Sequence, residues 1–338
     1  MKGMTVLQTL KPLVKKTAVW SGLLRLASRA GARKVAVLRY HSVLRRPEEF
    51  AGSIGAGIIH SDRNFAEQME LIAASYNPVS LDQVCAFTSG DADLPQRSVA
   101  ITFDDGFADN LEVAGPILAR CGIPAAIYLA VDYIGNQPPP WYVRLRYAFS
   151  VTRLPQWQGD RETAFDLTEP EQRREAFRDA SRQCAKLCRM PQERLLAEIE
   201  VQLDIEPFSV PVMLTWEGAR ELIRQGHTIG SHTLSHPNVA YIDAAELTEE
   251  LVASKAQIEK NTRTEVGHFS YPSPIMEPHY SDQAVAVTES AGYRSAVTCR
   301  PGPVVRGDSR LTLKRVFAQQ TRAELEWTLE NVFLGRSV

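Results

Sequence analysis

Several patterns that would place this chain in a special class are missing from its sequence. The five cysteines are odd in number and scattered, which excludes a disulfide framework. No uninterrupted run of about 20 apolar residues is present, so a membrane-spanning helix is not expected. A net charge of -2 at pH 7 gives no basis for a polyanionic partner, and nucleic-acid binding is not expected. With 338 residues, 44% of them hydrophobic, the chain can instead bury a full globular core.

Residues 1–32 form a predicted N-terminal helical segment. Within it, residues 7–26 have a basic and an apolar side, but the apolar stretch is short and no small-residue cleavage site follows. A signal peptide is therefore not expected, and we expect a cytoplasmic location. Residues 7–26 have two interpretations: a terminal helix packed on the domain, or peripheral contact with an anionic membrane surface.

The body of the chain alternates short β-branched apolar runs with helical patterns. This alternation predicts an α/β fold with a parallel sheet, either open or closed into a barrel. Helix starts are predicted where a capping residue is followed three positions later by an acid or amide, as at Ser80–Gln83, Asp109–Glu112 and Thr321–Glu324. The predicted strands are Val35–Tyr40, Val99–Phe103, Ala125–Ala130, Thr228–Ser231, Val266–Tyr271 and Ser295–Thr298.

One stretch, residues 136–211, interrupts this alternation. It becomes charged and helical from Glu169 to Leu203 and contains no clear strand. We interpret it as a helical insertion on one face of the barrel. The chain then divides into the segment 1–32, a main domain 33–320 that contains the insertion, and a C-terminal helix in 321–338.

The first chemical signal is an acidic pair at the end of a predicted buried strand, in Thr102–Gly106. Catalytic groups of α/β barrels lie at such strand ends. Asp104 and Asp105 repel each other there and lose hydration, so a cation is the simplest compensation. The alternative is a pair of capping aspartates followed by a turn glycine.

The second signal is a histidine pair, His232 and His236, which follows another short predicted strand. Two histidines four apart on one helical turn lie on one face and can bind one metal ion. The alternative is a pair of surface or capping histidines. The chain has only seven histidines, so a close pair at a strand end favours metal binding. Two imidazoles and one carboxylate leave positions open for water and substrate, and the second carboxylate is available as a base for metal-assisted hydrolysis.

Both motifs resemble those of the polysaccharide deacetylases. Thr102–Gly106 is similar to the family's first motif, and Ser231–His236 to its second, His-[Ser/Thr]-x-x-His. The resemblance covers about residues 35–135 and 212–316. It implies a distorted, incomplete (β/α) barrel.

The resemblance also implies roles for individual residues. Asp105, His232 and His236 would bind one divalent metal ion, zinc in the usual case, and Asp104 would be the general base. Tyr271-Pro272-Ser273 stands where the family's third motif lines the substrate groove, and the Ser273 backbone N–H would bind the oxyanion.

The sequence departs from the family pattern in two places. No arginine stands two residues before Pro272, so the arginine that would orient the base is not identified. The family's late Leu-x-His, which supplies the general acid, is replaced by Leu313-Lys314-Arg315. The strand end Leu38–His41 resembles the N-terminal motif of the circularly permuted biofilm-exopolysaccharide deacetylases, so His41 is the predicted acid and His268 the second candidate.

The predicted activity is removal of N-acetyl groups from amino sugars of a cell-surface or exported glycan, or of its precursor. Trp141 is a candidate for stacking on a sugar, with core packing as its alternative. Three rival functions remain: a same-fold hydrolase of a ureide or formamide, an iron oxygenase, and an inactive glycan-binding protein. The α/β pattern argues against the oxygenase, and the spare carboxylate argues against the inactive protein.

Overall fold

The computed structural model describes residues 33–135, 137–160 and 163–337. The predicted segment 1–32, with its stretch 7–26, therefore lies outside the described residues. Among the helices that are described, none combines the length and the apolar character needed to cross a bilayer.

The strands predicted from the sequence are present, with ends that differ by a residue or two. The strands are β1 (Val35–Tyr40), β2 (Ser42–Leu44), β3 (Ile59–Ser61), β4 (Asn77–Pro78), β5 (Ser98–Phe103), β6 (Ala125–Leu129), β7 (Gln156–Gln158), β8 (Ala164–Asp166), β9 (Thr228–Ser231), β10 (His268–Ser270), β11 (Ser295–Val297) and β12 (Val316–Phe317). The α-helices are α1 (Asp62–Ser75), α2 (Leu81–Ser89), α3 (Gly115–Cys121), α4 (Trp141–Val151), α5 (Pro170–Cys184), α6 (Arg189–Gln202), α7 (Trp216–Arg224), α8 (Ala244–Thr262), α9 (Asp282–Ser290) and α10 (Arg322–Phe333). Single helical turns occupy Pro47–Glu49, Ala51–Gly55, Asn110–Ala114 and Val131–Tyr133.

The main sheet is parallel and curls into part of a barrel. Its strand order is β11-β10-β9-β6-β5-β1-β12, and β4 also pairs with β5. All six residues of β5 are buried, as expected for a parallel strand covered on both faces. It pairs with β1 in register from Val35 opposite Ser98 to Tyr40 opposite Phe103. The predicted α/β fold, a distorted and incomplete (β/α) barrel, is confirmed.

Two of the three predicted helix caps are confirmed. Ser80 with Gln83 and Thr321 with Glu324 both form complete capping boxes. The third prediction is wrong, because Asp109 makes no side-chain cap. Its carboxylate instead accepts hydrogen bonds from the Ser42 hydroxyl at 2.6 Å and the Val43 N–H at 2.9 Å. Both donors belong to β2, 67 and 66 positions away in the sequence.

The insertion has a hydrophobic core of its own, built mainly by α4, α5 and α6. It is not entirely helical: β7 and β8 pair as a small antiparallel hairpin, which corrects the prediction that the stretch has no strand. The hairpin gives a weak sequence signal because each strand has three residues, and in β7 only Trp157 is buried. The insertion packs on the barrel through backbone contacts, including the Asn238 N–H to the Ala185 carbonyl at 2.8 Å.

Candidate active site and metal centre

The predicted base, the predicted acid and the three predicted metal ligands come together at one edge of the barrel. His41 follows β1, Asp104 and Asp105 follow β5, His232 follows β9, and Ser270 ends β10. The carboxyl ends of parallel strands meet at the same edge of the sheet, which is why residues far apart in sequence converge there.

Asp105, His232 and His236 form a buried group whose ligand atoms all lie within 4.8 Å of one another. The Asp105 Oδ1 atom lies 3.5 Å from His232 Nε2 and 3.4 Å from His236 Nε2. These distances are long for hydrogen bonds. They match the separation of about 3.3 Å expected between two ligands of one tetrahedral ion with bonds of about 2.0–2.1 Å.

The orientation of the His232 ring also fits a metal ligand. Its Nδ1 lies 2.6 Å from the Ser270 carbonyl oxygen and donates a hydrogen bond to it. That bond fixes the tautomer in which the Nε2 lone pair is directed at Asp105 and His236. The three residues therefore fit one divalent ion.

The histidine pair lies on a loop, and not on a helical turn as predicted. Asp105, Thr233 and His236 have φ angles of 75°, 70° and 56°, in the left-handed region that non-glycine residues rarely adopt. Such conformations cost free energy and persist where surrounding contacts enforce them. Here they turn the ligand side chains of His236 and Asp105 toward His232.

A buried carboxylate behind the loop supplies much of that enforcement. Glu250 of α8 accepts hydrogen bonds from the N–H groups of Leu234 and Ser235, at 2.8 and 3.0 Å, and from the Ser235 hydroxyl at 2.7 Å. Glu250 is fully buried. Nothing in the local sequence signals this role, because the carboxylate reaches the loop from a separate helix.

Asp104 is held by an arginine that the sequence analysis did not identify. Arg315 donates to Asp104 Oδ1 and Oδ2, both at 2.7 Å, and Ser270 donates to Oδ1 at 3.0 Å. Burial alone raises the pKa of Asp104, but the Arg315 guanidinium and neighbouring His232 outweigh it and hold that pKa well below its usual range. Asp104 therefore stays ionised.

In the sequence, Arg315 stands at the position of the histidine that is the general acid in the family's Leu-x-His motif. It immediately precedes β12, is 1% exposed, and also donates from Nε to the Thr298 carbonyl at 2.9 Å. The arginine that contacts the base therefore lies about forty residues after Pro272 in the sequence, and not two residues before it. Burial opposes its charge, but Asp104 raises the pKa of Arg315 above its ordinary value, so the pair is ionic.

The structure places the His41 ring in the cleft and facing Asp104. His41 Nε2 lies 4.0 Å from Asp104 Oδ2, and the side chain is 12% exposed. Its carbonyl accepts a hydrogen bond from the Asn110 side chain at 2.7 Å. Burial lowers the pKa of His41 to about 4 against the opposing effect of Asp105 and Asp104, so the resting ring is neutral.

The second candidate for the acid, His268, lies elsewhere. Its ring is within 2.8 Å of the Ser295 hydroxyl and 3.1 Å of Asp82 Oδ1. It starts β10, whereas Ser270 at the other end of the same strand faces the site. His268 does not line the cleft.

Of Tyr271, Pro272 and Ser273, only Ser273 lines the cleft. Tyr271 is 1% exposed and donates its hydroxyl hydrogen bond to Thr288 at 3.2 Å, so its predicted contact with substrate is wrong. Pro272 is also buried. The Ser273 backbone N–H makes no hydrogen bond within the described parts of the chain, and it remains available to a ligand.

Trp141 and Tyr142 begin α4 and bring the insertion into contact with the metal site. The Trp141 indole is 2% exposed and donates to the His236 carbonyl at 3.2 Å, so it positions His236 and offers little face to a sugar. The Tyr142 ring centroid lies 4.7 Å from that of His236. Its buried hydroxyl has no hydrogen-bond partner among the described residues.

These residues surround a cleft of about 490 Å³ between the barrel edge and the insertion. The barrel contributes the acidic and histidine side chains, and α4 and α5 contribute the opposite wall. The residues that line the cleft are Arg39, His41, Ile58, Asp104, Asp105, Trp141, Tyr142, Arg146, Arg174, Phe177, Arg178, Ser181, His232, His236, Ser273, Pro274 and Ile275.

The polysaccharide deacetylase family model matches residues 91–296, which include both aspartates and both ligand histidines but neither His41 nor Arg315. The protein YxkH of Bacillus subtilis is 20% identical over 284 residues, which are 84% of this chain and 71% of YxkH.

Solved structures show the same fold. The deacetylase PplD of Streptococcus pyogenes, solved with acetate, is 18% identical with a TM-score of 0.59, over 88% of this chain and 99% of PplD. IcaB from Ammonifex degensii is 16% identical with a TM-score of 0.57, over 88% of this chain and 97% of IcaB.

Proposed function

The chain belongs to the polysaccharide deacetylase family, and from that premise we propose that it removes N-acetyl groups from amino sugars of a cell-surface or exported glycan, or of its precursor, with a bound divalent metal ion. It is a hydrolase of carbon–nitrogen bonds other than peptide bonds. One observation carries the proposal: a three-ligand group, Asp105, His232 and His236, lies beside an ionised carboxylate, Asp104, in a cleft at the barrel edge.

Asp105, His232 and His236 would hold the ion, and zinc suits two imidazoles and one carboxylate. In that position a divalent ion would supply Lewis acidity, which would polarise the acetamide carbonyl and make water easier to deprotonate. The chain's own part is to fix the three ligands, through the Ser270 carbonyl for His232 and the Trp141 indole for His236.

Asp104 accepts the proton of the attacking water in this proposal. Arg315 and Ser270 both donate to Oδ1, whereas Oδ2 accepts from Arg315 alone among the residues that the structure describes and keeps a lone pair. Oδ2 is also the atom 4.0 Å from His41. The arginine thus orients the carboxylate so that one oxygen faces the cleft.

The remaining residues complete hydrolysis of the amide. The Ser273 N–H stabilises the oxyanion that forms when water adds to the carbonyl carbon. The carbon–nitrogen bond then breaks, and the nitrogen needs a proton because an amide anion is too basic to leave. The neutral His41 ring receives the proton that Asp104 took from water and passes it to the nitrogen, so that acetate and an amine are released.

Acetate release tests the proposed function. Purified protein would be stripped with a chelator, reloaded with zinc, and assayed with N-acetylated oligosaccharides and with matched N-formyl and ureide compounds. We expect acetate from the N-acetyl substrates only after reloading. Release of formate or ureide cleavage without acetate would identify a different amide hydrolase, and binding of glycan with no product would identify an inactive binder.

The role of His41 needs a separate variant. We expect His41→Ala to lower kcat by roughly 10²–10⁴-fold, the usual contribution of a general acid or base, with zinc content unchanged because His41 is not a ligand. Zinc content and kcat would be measured on the same preparation, with His268→Ala as the control at the other candidate. A kcat within about threefold of the unmodified protein would refute the role.

A further inference from the structure

Four arginines line the cleft that holds the proposed metal site. Arg39 comes from β1, Arg146 from α4, and Arg174 and Arg178 from α5. The acidic side chains that line the same cleft are those of Asp104 and Asp105. Both are already engaged, Asp104 by Arg315 and Asp105 by the ligand histidines.

Two of these arginines have no acidic partner in the described part of the chain. Arg39 donates to the Ser273 hydroxyl at 3.3 Å and contacts Cys299, and its guanidinium carbon lies 5.5 Å from the Phe317 ring centroid. Arg146 has its guanidinium 4.5 Å from the Phe177 ring centroid, and burial lowers its pKa. Arginine remains charged at neutral pH, so both positions keep an uncompensated positive charge beside the cleft.

The other two arginines are only weakly compensated. Arg174 and Arg178 are four residues apart on α5 and so lie on one face of the helix. They pair with Glu171 and Glu175 of the same helix, and all four side chains are substantially exposed. Exposed pairs of this kind are worth about 0–1 kcal/mol and exchange readily for a ligand.

Four guanidinium groups around one cleft favour an anion with several oxygens. The planar fork of arginine matches phosphate oxygens in two-pronged hydrogen bonds, which are stronger than neutral ones. A cleft of about 490 Å³ falls within the range of about 300–1,000 Å³ typical of small-molecule sites, enough for a sugar with an attached group.

Resting on the proposed function, we infer that the substrate is an N-acetylated amino sugar that carries a phosphate or diphosphate ester. The sugar's acetamide lies at the metal site, and the phosphoryl oxygens are bound by Arg39 of the barrel and by Arg146, Arg174 and Arg178 of the insertion. A lipid-linked sugar diphosphate and a nucleotide diphosphate sugar share this chemistry.

Matched substrates test the inference. Acetate release would be compared for N-acetylglucosamine 1-phosphate, a UDP-linked sugar, a polyprenyl-diphosphate-linked sugar in detergent, a neutral chitooligosaccharide and a uronic-acid-containing oligosaccharide. We expect kcat/KM to be roughly 10–100-fold higher for a phosphorylated sugar than for the neutral one, as a charge-assisted contact would provide. The lipid and nucleotide arms identify the source of the phosphoryl group.

Two arginine variants test which side chains bind the phosphoryl group, and a third serves as their control. Arg146→Gln and Arg178→Gln should reduce the ratio of kcat/KM for phosphorylated over neutral substrate by about tenfold each. Arg182→Gln changes the same residue type on the same helix, but Arg182 pairs with Asp179 and does not line the cleft. It should leave the ratio unchanged.

The outcomes separate this inference from the proposed function. Hydrolysis of the neutral oligosaccharide without preference for any phosphorylated sugar, or preference for the uronic-acid compound, would overturn the inference alone. If no substrate releases acetate, the proposed function fails. The inference is then decided by calorimetry, which compares the affinity for N-acetylglucosamine 1-phosphate with the affinity for N-acetylglucosamine. Equal affinities there, or a preference that survives Arg146→Gln, would overturn it.

Discussion

The two walls of the cleft are built on different physical principles. On the barrel wall, Asp104 and Asp105 are 2% and 3% exposed, and Asp104 is bonded to Arg315, itself 1% exposed. On the insertion wall, Arg174 and Arg178 are 59% and 49% exposed, and within the described ranges they pair with acids of their own helix. Buried groups held by several hydrogen bonds cannot rearrange cheaply, whereas exposed pairs can.

Under the proposed function, this difference separates the residues of the chemical step from the residues of substrate recognition. Proton transfer and metal binding need atoms held within a few tenths of an ångström, and the barrel wall provides that through β1, β5 and β9. Binding of an attached group tolerates side-chain movement, which suits α5. Changes at Asp104 and Asp105 should therefore alter rate and metal content, and changes at Arg174 and Arg178 should alter substrate preference.

The largest effect is expected from loss of a metal ligand. His232→Ala should lose the ion and lower activity by about 10³-fold or more, since Lewis-acid assistance is worth several kcal/mol and each 1.36 kcal/mol is a factor of ten. Elemental analysis of the purified variant gives the metal content, and His279→Ala, outside the site, is the control. A His232→Ala protein with one full equivalent of zinc would show that the ligand set is different.

Asp104→Asn tests whether the neighbouring carboxylate has a separate task. We expect it to keep the metal but to lose about 10²–10⁴-fold in kcat, because an amide cannot accept the proton of water. It should also lower the melting temperature, since Arg315 is left buried without a counter-charge. Unchanged kcat with intact metal would place the base elsewhere on the barrel wall.

A smaller effect is expected behind the barrel wall, at Glu250. Glu250→Gln should weaken zinc binding by about 10–100-fold, the usual consequence of losing support behind a ligand, because the amide cannot replace all three hydrogen bonds to Leu234 and Ser235. Competition with a zinc-sensitive dye measures the affinity. The adjacent Glu249 pairs with Arg189 and makes no hydrogen bond to Leu234 or Ser235 in the described structure, so Glu249→Gln should leave the zinc affinity unchanged.

The smallest effect concerns stability and pH at Asp109, which joins β2 to the barrel. Burial raises the pKa of Asp109 from 3.8 to about 7, against its hydrogen bonds from Ser42 and Val43. The folded protein therefore binds the Asp109 proton more tightly than the unfolded chain does. The resulting stabilisation is complete below pH 3.8, the pKa of the unfolded chain, and it is lost as the pH rises toward about 7.

Denaturant unfolding between pH 4 and 8 measures that loss. The free energy of unfolding of the unmodified protein should fall relative to Asp109→Asn, by about 1 kcal/mol or more, as pH rises to about 7, and the difference should then level off. A difference that does not depend on pH would mean that Asp109 is ionised throughout the range.

Local signals explain which features were predictable. The barrel strands were predictable because short apolar runs rich in β-branched residues favour extended structure, and the Ser80 and Thr321 caps depend on residues three apart. Predictions failed where a distant partner competed with a local one. Asp109 bonds β2 instead of capping its own turn, and Tyr271 bonds Thr288 instead of facing the cleft.

The sequence by itself determined the fold class and the residue types of the proposed metal site, since Asp105, His232 and His236 follow recognisable strands. Only the tertiary structure decided that Arg315 holds Asp104, that Glu250 supports the histidine loop, and that the insertion forms the second wall. The reason is physical: periodicity and spacing report contacts within a few residues. A buried charge is compensated by whichever side chain the fold brings near it, and for Asp104 that residue is 211 positions away.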